Sequence, residues 1–476
     1  MVAGPFRRAA FGAVVAGAMV PASAGADELG DLKQALETAK QQMQEMEAAH
    51  RRQIEALEGR VRAVEQRSNA AANAAAAQPP AHAAKDHRHG SYSIGGLDLD
   101  LGVTADLAAG GSSVPNSILS GLQAADHDPN KNGFRLKSLE WIASGTVDPY
   151  FDAQATLALQ IDAEGETKLE LEEAFATTRG LPYGLQAKAG MYFTEFGRAN
   201  TQHSHEWAFV DQSFVATRLL GPDGLRSPGA RLSWLTPLPF FSEITVGVQN
   251  SDGETVFGFL SEENEELLTP AGGGEEEEEE EGGDKRQIRN LGDLLYSARW
   301  LNGFDLSDTV SMNIGFSGAV GPNDTDANAD TFLLGSDIYI KWQPVSNERG
   351  FPFVSLQAEG ILREFEFRGE DGDEDLEDYG FYTQALWGFR PGWVAGLRFG
   401  YADANDQDRF NGPFRDERTR LSPNITWYPS ENSLLRLQYN RDWFDFDEDA
   451  GGDEDTADTI WVQFIWSLGA HAAHGF

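Results

Sequence analysis

From Tyr92 to the C-terminus the chain repeats one pattern, runs of about ten residues in which apolar and polar side chains alternate. Leu97, Leu99, Leu101, Val103, Ala105 and Leu107 interleave with Asp98, Asp100, Gly102, Thr104 and Asp106. Successive side chains of a strand point to opposite faces, so each run is a strand with one apolar and one polar side. A soluble sandwich hides the apolar side in a core. A membrane barrel turns it out to lipid and keeps the polar side around a wet lumen. Alternation alone does not choose between them. Strand length, strand number and the connections do.

Strands are expected near 92–109, 133–147, 151–162, 167–178, 185–193, 228–236, 242–251, 291–301, 307–320, 330–342, 352–368, 376–390, 393–403, 414–428, 433–445 and 456–469. Their connections alternate in length. Asp148-Pro149-Tyr150, Arg179 to Gly184, Thr236 to Phe240, Pro391-Gly392 and Pro429 to Asn432 are tight. Between them lie 110–132, 194–227, 252–290, 369–375 and 446–455, mostly long, polar and acidic. Short turns on one side and long loops on the other are the pattern of a bacterial barrel. The fold expected is all-β, a sixteen-stranded antiparallel transmembrane barrel over 91–476 with both ends on the short-turn side.

The segments before the barrel fit export. Residues 1–26 read as a signal peptide, with Arg7 and Arg8 ahead of an apolar run and Ala24-Gly25-Ala26 before Asp27. Residues 27–67 lack Pro and carry Leu29, Leu32, Leu36, Ala39, Met43 and Met46 at alternating three- and four-residue steps, a heptad seam. The seam jumps four residues from His50 to Ile54 and resumes at Leu57, Val61 and Val64, a stutter. This is the expected periplasmic coiled-coil helix. An Ala- and His-rich linker with Pro79-Pro80 follows over 68–90. The chain has no Cys, which excludes a disulfide scaffold.

Parity assigns the lumen. Lys188, Arg231, Arg299, Arg363, Arg398, Arg418, Arg420 and Arg436 fall on the polar face, with Asp98, Asp100, Asp106, Glu140, Glu170 and Glu172. Arg398, Arg418, Arg420 and Arg436 stand on three consecutive strands and form a basic ladder. Arginine keeps its charge and its fork suits carboxylate or phosphate, so the ladder is expected to favour anions weakly. Pairing that merely props the wall is the other reading. The third outer loop, 194–227, counted with the short connection before Thr167, is expected to fold inward and narrow the channel. It carries His203, His205, Glu206, Trp207 and Asp211. A His-x-His pair beside acids can hold zinc at His203 and His205, or can fold the loop by polar contacts. Glu275 to Glu281 is an unbroken acidic run in the next long loop, expected to stay solvated and to collect cations near the mouth.

Several stretches resemble the proteobacterial family labelled zinc-regulated TonB-dependent outer-membrane receptors, related to phosphate-selective O and P porins. They are Val147-Asp148-Pro149-Tyr150-Phe151, Leu169 to Phe175, Gln202 to Gln212 and the tail Ser467 to Phe476. The resemblance implies an exported barrel and zinc-linked expression. A TonB-dependent receptor, however, needs roughly twenty-two strands and a folded plug, and this chain has room for about sixteen strands. The function expected is therefore a passive porin for small solutes or ions, not an enzyme, with zinc as the one cofactor weighed. The expected partners are outer-membrane lipid and two further copies in a homotrimer, with cell-wall contact through the coiled coil and no nucleic acid. Active metal uptake and an envelope tether with an incidental pore are the alternatives.

Overall fold

The computed structural model describes residues 91–94, 97–161, 165–261, 264, 286–326, 328–369, 372–405, 417–444 and 456–469. The signal peptide, coiled coil, linker, glutamate run and C-terminal tail lie outside these residues, as does the side chain of Asp98.

Sixteen strands form one closed antiparallel ring. In chain order they are β1 Leu97–Ser112, β2 Gly133–Thr146, β3 Phe151–Ile161, β4 Thr167–Thr178, β5 Leu185–Phe193, β6 Arg226–Leu235, β7 Phe241–Asn250 and β8 Leu294–Ser307. Then follow β9 Val310–Pro322, β10 Asp330–Trp342, β11 Phe353–Gly369, β12 Gly372–Arg390, β13 Trp393–Ala404, β14 Arg418–Ser430, β15 Ser433–Phe444 and β16 Thr456–Gly469. Each strand bonds to the next. β16 returns to β1 in register from Thr459↔Ser112 to Gly469↔Gly102, so no sheet edge is left open.

Three expected boundaries change, one of them the end of the strand expected near 291–301, which runs on to Ser307. The alternation over 92–109 is two pieces: Ser91–Ile94 folds back on β1, with Ser91 opposite Asp100 and Ile94 opposite Leu97. The Gly95-Gly96 dipeptide between them is a turn signal that the alternating pattern masks. The connection expected over 369–375 is taken up by β11 and β12, which stay paired out to Gly369↔Gly372.

The two faces separate sharply. Leu157, Trp300, Trp387 and Ile460 point outward and are 39%, 47%, 57% and 54% exposed, whereas Asp106, Glu140, Thr156, Arg363 and Gln463 point inward and are fully buried. An apolar exterior of this extent is stable only against lipid. Aromatic rings mark the short-turn end of the exterior, where Trp393 and Trp427 stack with centroids 6.0 Å apart. Such belts sit at the membrane–water boundary. The turns there are built locally: Asp148 Oδ1 accepts the backbone N–H groups of Tyr150 at 2.7 Å and Phe151 at 3.0 Å, closing the β2–β3 turn.

Parts of the interior are packed by loops. The β1–β2 connection carries helix α1 (Asn116–Leu122), whose Leu119 and Leu122 cluster with Val210, Phe444 and Trp461. The β5–β6 connection carries helix α2 (Phe214–Leu220), whose Val215 and Leu219 join Phe196, Phe259, Leu333, Ile361 and Tyr382.

Candidate functional site: the loop across the lumen

Thr194 to Leu225 leaves the ring between β5 and β6. Its two ends are tied where it starts. Thr194 N–H donates to Leu225 O at 2.9 Å, and Asn200 donates to both Thr194 O and Leu225 O and accepts from Leu225 N–H. From this neck the chain runs to β13, β14 and β15. In a ring of sixteen those strands stand opposite β5 and β6, so the loop spans the lumen.

The tip is held by the basic wall. Asp211 accepts from Arg398, from Arg420 Nη1 at 2.9 Å, from Gln438 at 2.7 Å and from Asn440 at 3.0 Å. Its backbone carbonyl takes Arg398 Nη1 at 3.0 Å. Arg436 Nη1 donates to Phe209 O at 2.8 Å, Asn424 donates to Ala208 O at 2.9 Å, and Val210 N–H donates to Gln438 at 2.8 Å. Lys137 bridges Val210 O and Asp106 Oδ2. Arg418 and Arg420 share Asp442 and both cap Leu122 O at the end of α1. Two guanidinium groups beside Asp211 hold its carboxyl below the usual range, against the upward push of burial.

The sequence leaves the ladder open to two readings, an anion-favouring wall or pairs that prop the wall, and its four arginines are paired. Arg398, Arg418, Arg420 and Arg436 are all inside, and each is buried and spent on Asp211, Asp442, Gln463 or a loop carbonyl. A buried guanidinium without a counter-charge is costly, so a loop that enters the lumen neutralises the wall it meets. Arg363 is likewise consumed: with Arg218 of α2 it grips Asp378. Arg299 pairs with Asp337 at 2.8 Å. Lys188 and Arg231, nearer the short-turn end, are half-buried; Lys188 lies 4.0 Å above the Phe175 ring and Arg231 meets Glu195 at 2.8 Å. Asp100 borders a hollow of about 340 Å³ lined also by Ser144, Thr146, Asp152, Gln154 and Thr177.

The shoulder of the loop meets the acidic wall. His203 Nδ1 lies 3.0 Å from Glu172 and its Nε2 lies 3.0 Å from Glu173. His205 Nδ1 lies 2.6 Å from Glu140, and Ser204 donates to Glu140 at 3.0 Å. Glu206 turns back instead to accept the His203 N–H, capping the short 3₁₀ turn Ser204–Glu206. Trp207 donates to Gln202 O and lies against Lys137. Glu170 pairs with Arg226, which also holds Asp223. Three participants escaped the sequence reading. His127, from the β1–β2 loop, lies 3.2 Å from Glu172 and no local motif marks it. Glu173 follows Glu172 directly, and a strict period of two would put it on the opposite face. Asn200 looks like any loop asparagine. The doubled glutamate in Leu169 to Phe175 was a usable signal, since two like charges in a row break the alternation.

No family model matches the chain. It is 29% identical over 359 residues to an uncharacterized protein of Aquifex aeolicus (strain VF5), covering 73% of this chain and 71% of that protein. Among solved structures it is similar to the outer membrane channel DcaP of Acinetobacter baumannii, with TM-score 0.51, 12% identity, and 80% of this chain and all of the other covered. An anion-selective porin from Comamonas acidovorans aligns over 78% of this chain and all of its own, with TM-score 0.48 and 9% identity. The likeness to DcaP is one of fold alone. Among the described residues nothing corresponds to the roughly twenty-two strands and folded plug of a TonB-dependent receptor.

Proposed function

We propose that the protein is an outer-membrane porin, a passive diffusion channel for small solutes or ions whose passage is narrowed by Thr194 to Leu225. The observation that carries this is the loop spanning the ring from its neck at Asn200 to its latch at Asp211. A barrel that served only as an anchor would gain nothing from a polar strap with charged latches across a wet lumen. Planar-bilayer recording tests it. Purified protein should give stepwise single-channel currents, and shortening 201–212 should raise the unit conductance. No conductance at all would remove the channel reading; unchanged conductance would place the constriction elsewhere.

The short turns then face the periplasm. Homotrimer formation has support in the exterior of β3 to β6. Ala153 faces Ala176, Ala176 faces Ala189, and Ala189 faces Ala230, with Ala155 beside Ala174 in the next row. A flat alanine surface lets a second barrel approach closely in lipid. Ala176→Leu with Ala189→Leu should convert trimers to monomers on native-mass analysis; retained trimers would move the interface.

A further inference from the structure

The register of β3 against β4 shifts between Thr156↔Glu173 and Leu157↔Leu171, leaving Glu172 as the extra residue of a β-bulge. A bulge re-aims side chains, and here it turns two consecutive glutamates to one side. Glu172 and Glu173 are 2% and 7% exposed. His203 stands between them, one ring nitrogen on each. Glu140 reaches in from β2, and one donor atom each from Glu140, Glu172 and His203 fall within 4.8 Å of one another. His205 stacks on His203 with an interplanar angle of 10° and addresses Glu140, while His127 addresses Glu172.

A neutral imidazole has one N–H and one bare lone pair. His203 faces a carboxylate oxygen at both nitrogens, so in the neutral ring one lone pair opposes an anionic oxygen. Three buried carboxylates also require compensation. A cation between the Nδ1 nitrogen and the Glu172 oxygen answers both demands. Tetrahedral zinc, with bonds of about 2.0–2.1 Å, sets neighbouring donors roughly 3.3 Å apart; the observed separation is 3.0 Å. The Nε2–H would then donate to Glu173, the carboxylate–histidine–metal relay that fixes a ligand ring. A nitrogen donor among carboxylates favours a zinc-class ion over magnesium or calcium.

We propose that Glu140, Glu172 and His203 (through Nδ1) bind a divalent transition-metal ion that pins the inserted loop to β2 and β4, with Glu173, His205 and His127 as positioning residues. This does not rest on the channel reading, because binding is measured on the folded protein whatever its conductance. The full-length protein, refolded in detergent and stripped with chelator, is titrated with Zn²⁺ in millimolar Mg²⁺, which saturates the diffuse acidic loops. One zinc should be retained per chain after dialysis, and Co²⁺ should give visible ligand-field bands of a nitrogen–oxygen site. Glu172→Gln with His203→Ala should abolish retention, and Glu173→Gln should weaken it about 10–100-fold. Glu359→Gln, a buried glutamate elsewhere on the loop's path, should leave it unchanged. Each variant is checked for the heat-modifiable gel shift of a folded barrel. A folded wild type that retains no zinc, a folded double variant that retains it fully, or Co²⁺ without ligand-field bands would overturn the proposal in favour of a clasp of protonated histidines alone.

Discussion

At its tip the inserted loop meets guanidinium groups; at its shoulder it meets carboxylates. Asp211 is one anion among cations whose charge is permanent, with Arg398 and Arg420 on either side. At the shoulder His203 and His205 face Glu140, Glu172 and Glu173, and the ionic part of the attraction exists only when a proton or a metal ion supplies the positive charge. The tip is therefore an unconditional latch and the shoulder a conditional one. A channel that must stay narrow can rely on the first. One that must sense its surroundings needs the second.

The comparison is broken most directly at the tip. Asp211→Asn keeps the size and loses the charge, leaving Arg398 buried without a counter-ion and Arg420 with Asp442 alone. Removing one partner of such a group costs about 3–5 kcal/mol. Calorimetry should show a large fall in melting temperature, and single-channel records should show higher, noisier conductance. A quiet wild-type trace would mean that the loop is held without this latch. At the shoulder, chelation should lower the melting point of wild type by the linkage contribution, about 2.7 kcal/mol when zinc was at a hundredfold its dissociation constant. It should leave the Glu172→Gln, His203→Ala variant unmoved.

The difference is sharpened by Asp128, which sits beside the tip and accepts the Gln212 N–H at 2.9 Å. Burial, then the nearby Asp211, raises its pKa from 3.8 to about 7. A carboxyl with a raised folded pKa contributes stability below its unfolded pKa and loses it as pH rises through the folded one. Stability at the tip should therefore decline between about pH 4 and pH 7. Asp128→Asn should raise the melting temperature at pH 8 and leave it unchanged near pH 3.5; a variant equally affected at both would show that ionisation there does not matter. The smallest effect belongs to the half-exposed cations. Lys188→Ala with Arg231→Ala should shift the reversal potential modestly toward cations, and Arg418→Ala less, because Arg418 is already matched by Asp442.

The ring was legible because lipid enforces a strict period of two on every strand, and β2, β10 and β16 fall within a residue of where that period places them. The bulge at Glu172 and the folded-back Ser91–Ile94 were misread for the same reason: each interrupts a period that the reading assumed unbroken. The site was half legible. Parity puts Arg398 and Glu140 in the lumen, and the length of 194–227 suggests a loop with room to enter. Which arginine meets which carboxylate depends on where Asp211 arrives after crossing the ring, and no local sequence rule contains that distance. His127 belongs to the same class, since it reaches the shoulder from a different loop.

The latch also sets an order of events during assembly. Asp211 and Phe209 are bound by Arg398, Arg420, Arg436 and Asn440, partners 187 to 229 positions further along the chain. The seam that joins β16 to β1 brings Thr104 to Ser467, separated by 363 positions. Contacts this distant in sequence form slowly, because long loops must close before they are rewarded. The tip of the strap therefore has no anchor until the last quarter of the polypeptide has paired into sheet, although its neck and shoulder meet earlier partners. Until then its apolar residues, Phe196, Phe209, Phe214 and Leu219 among them, lack the wall that buries them. Maturation of this barrel ends with the threading of its own interior, and a chain shortened before β13 would leave that apolar surface exposed to chaperones and proteases.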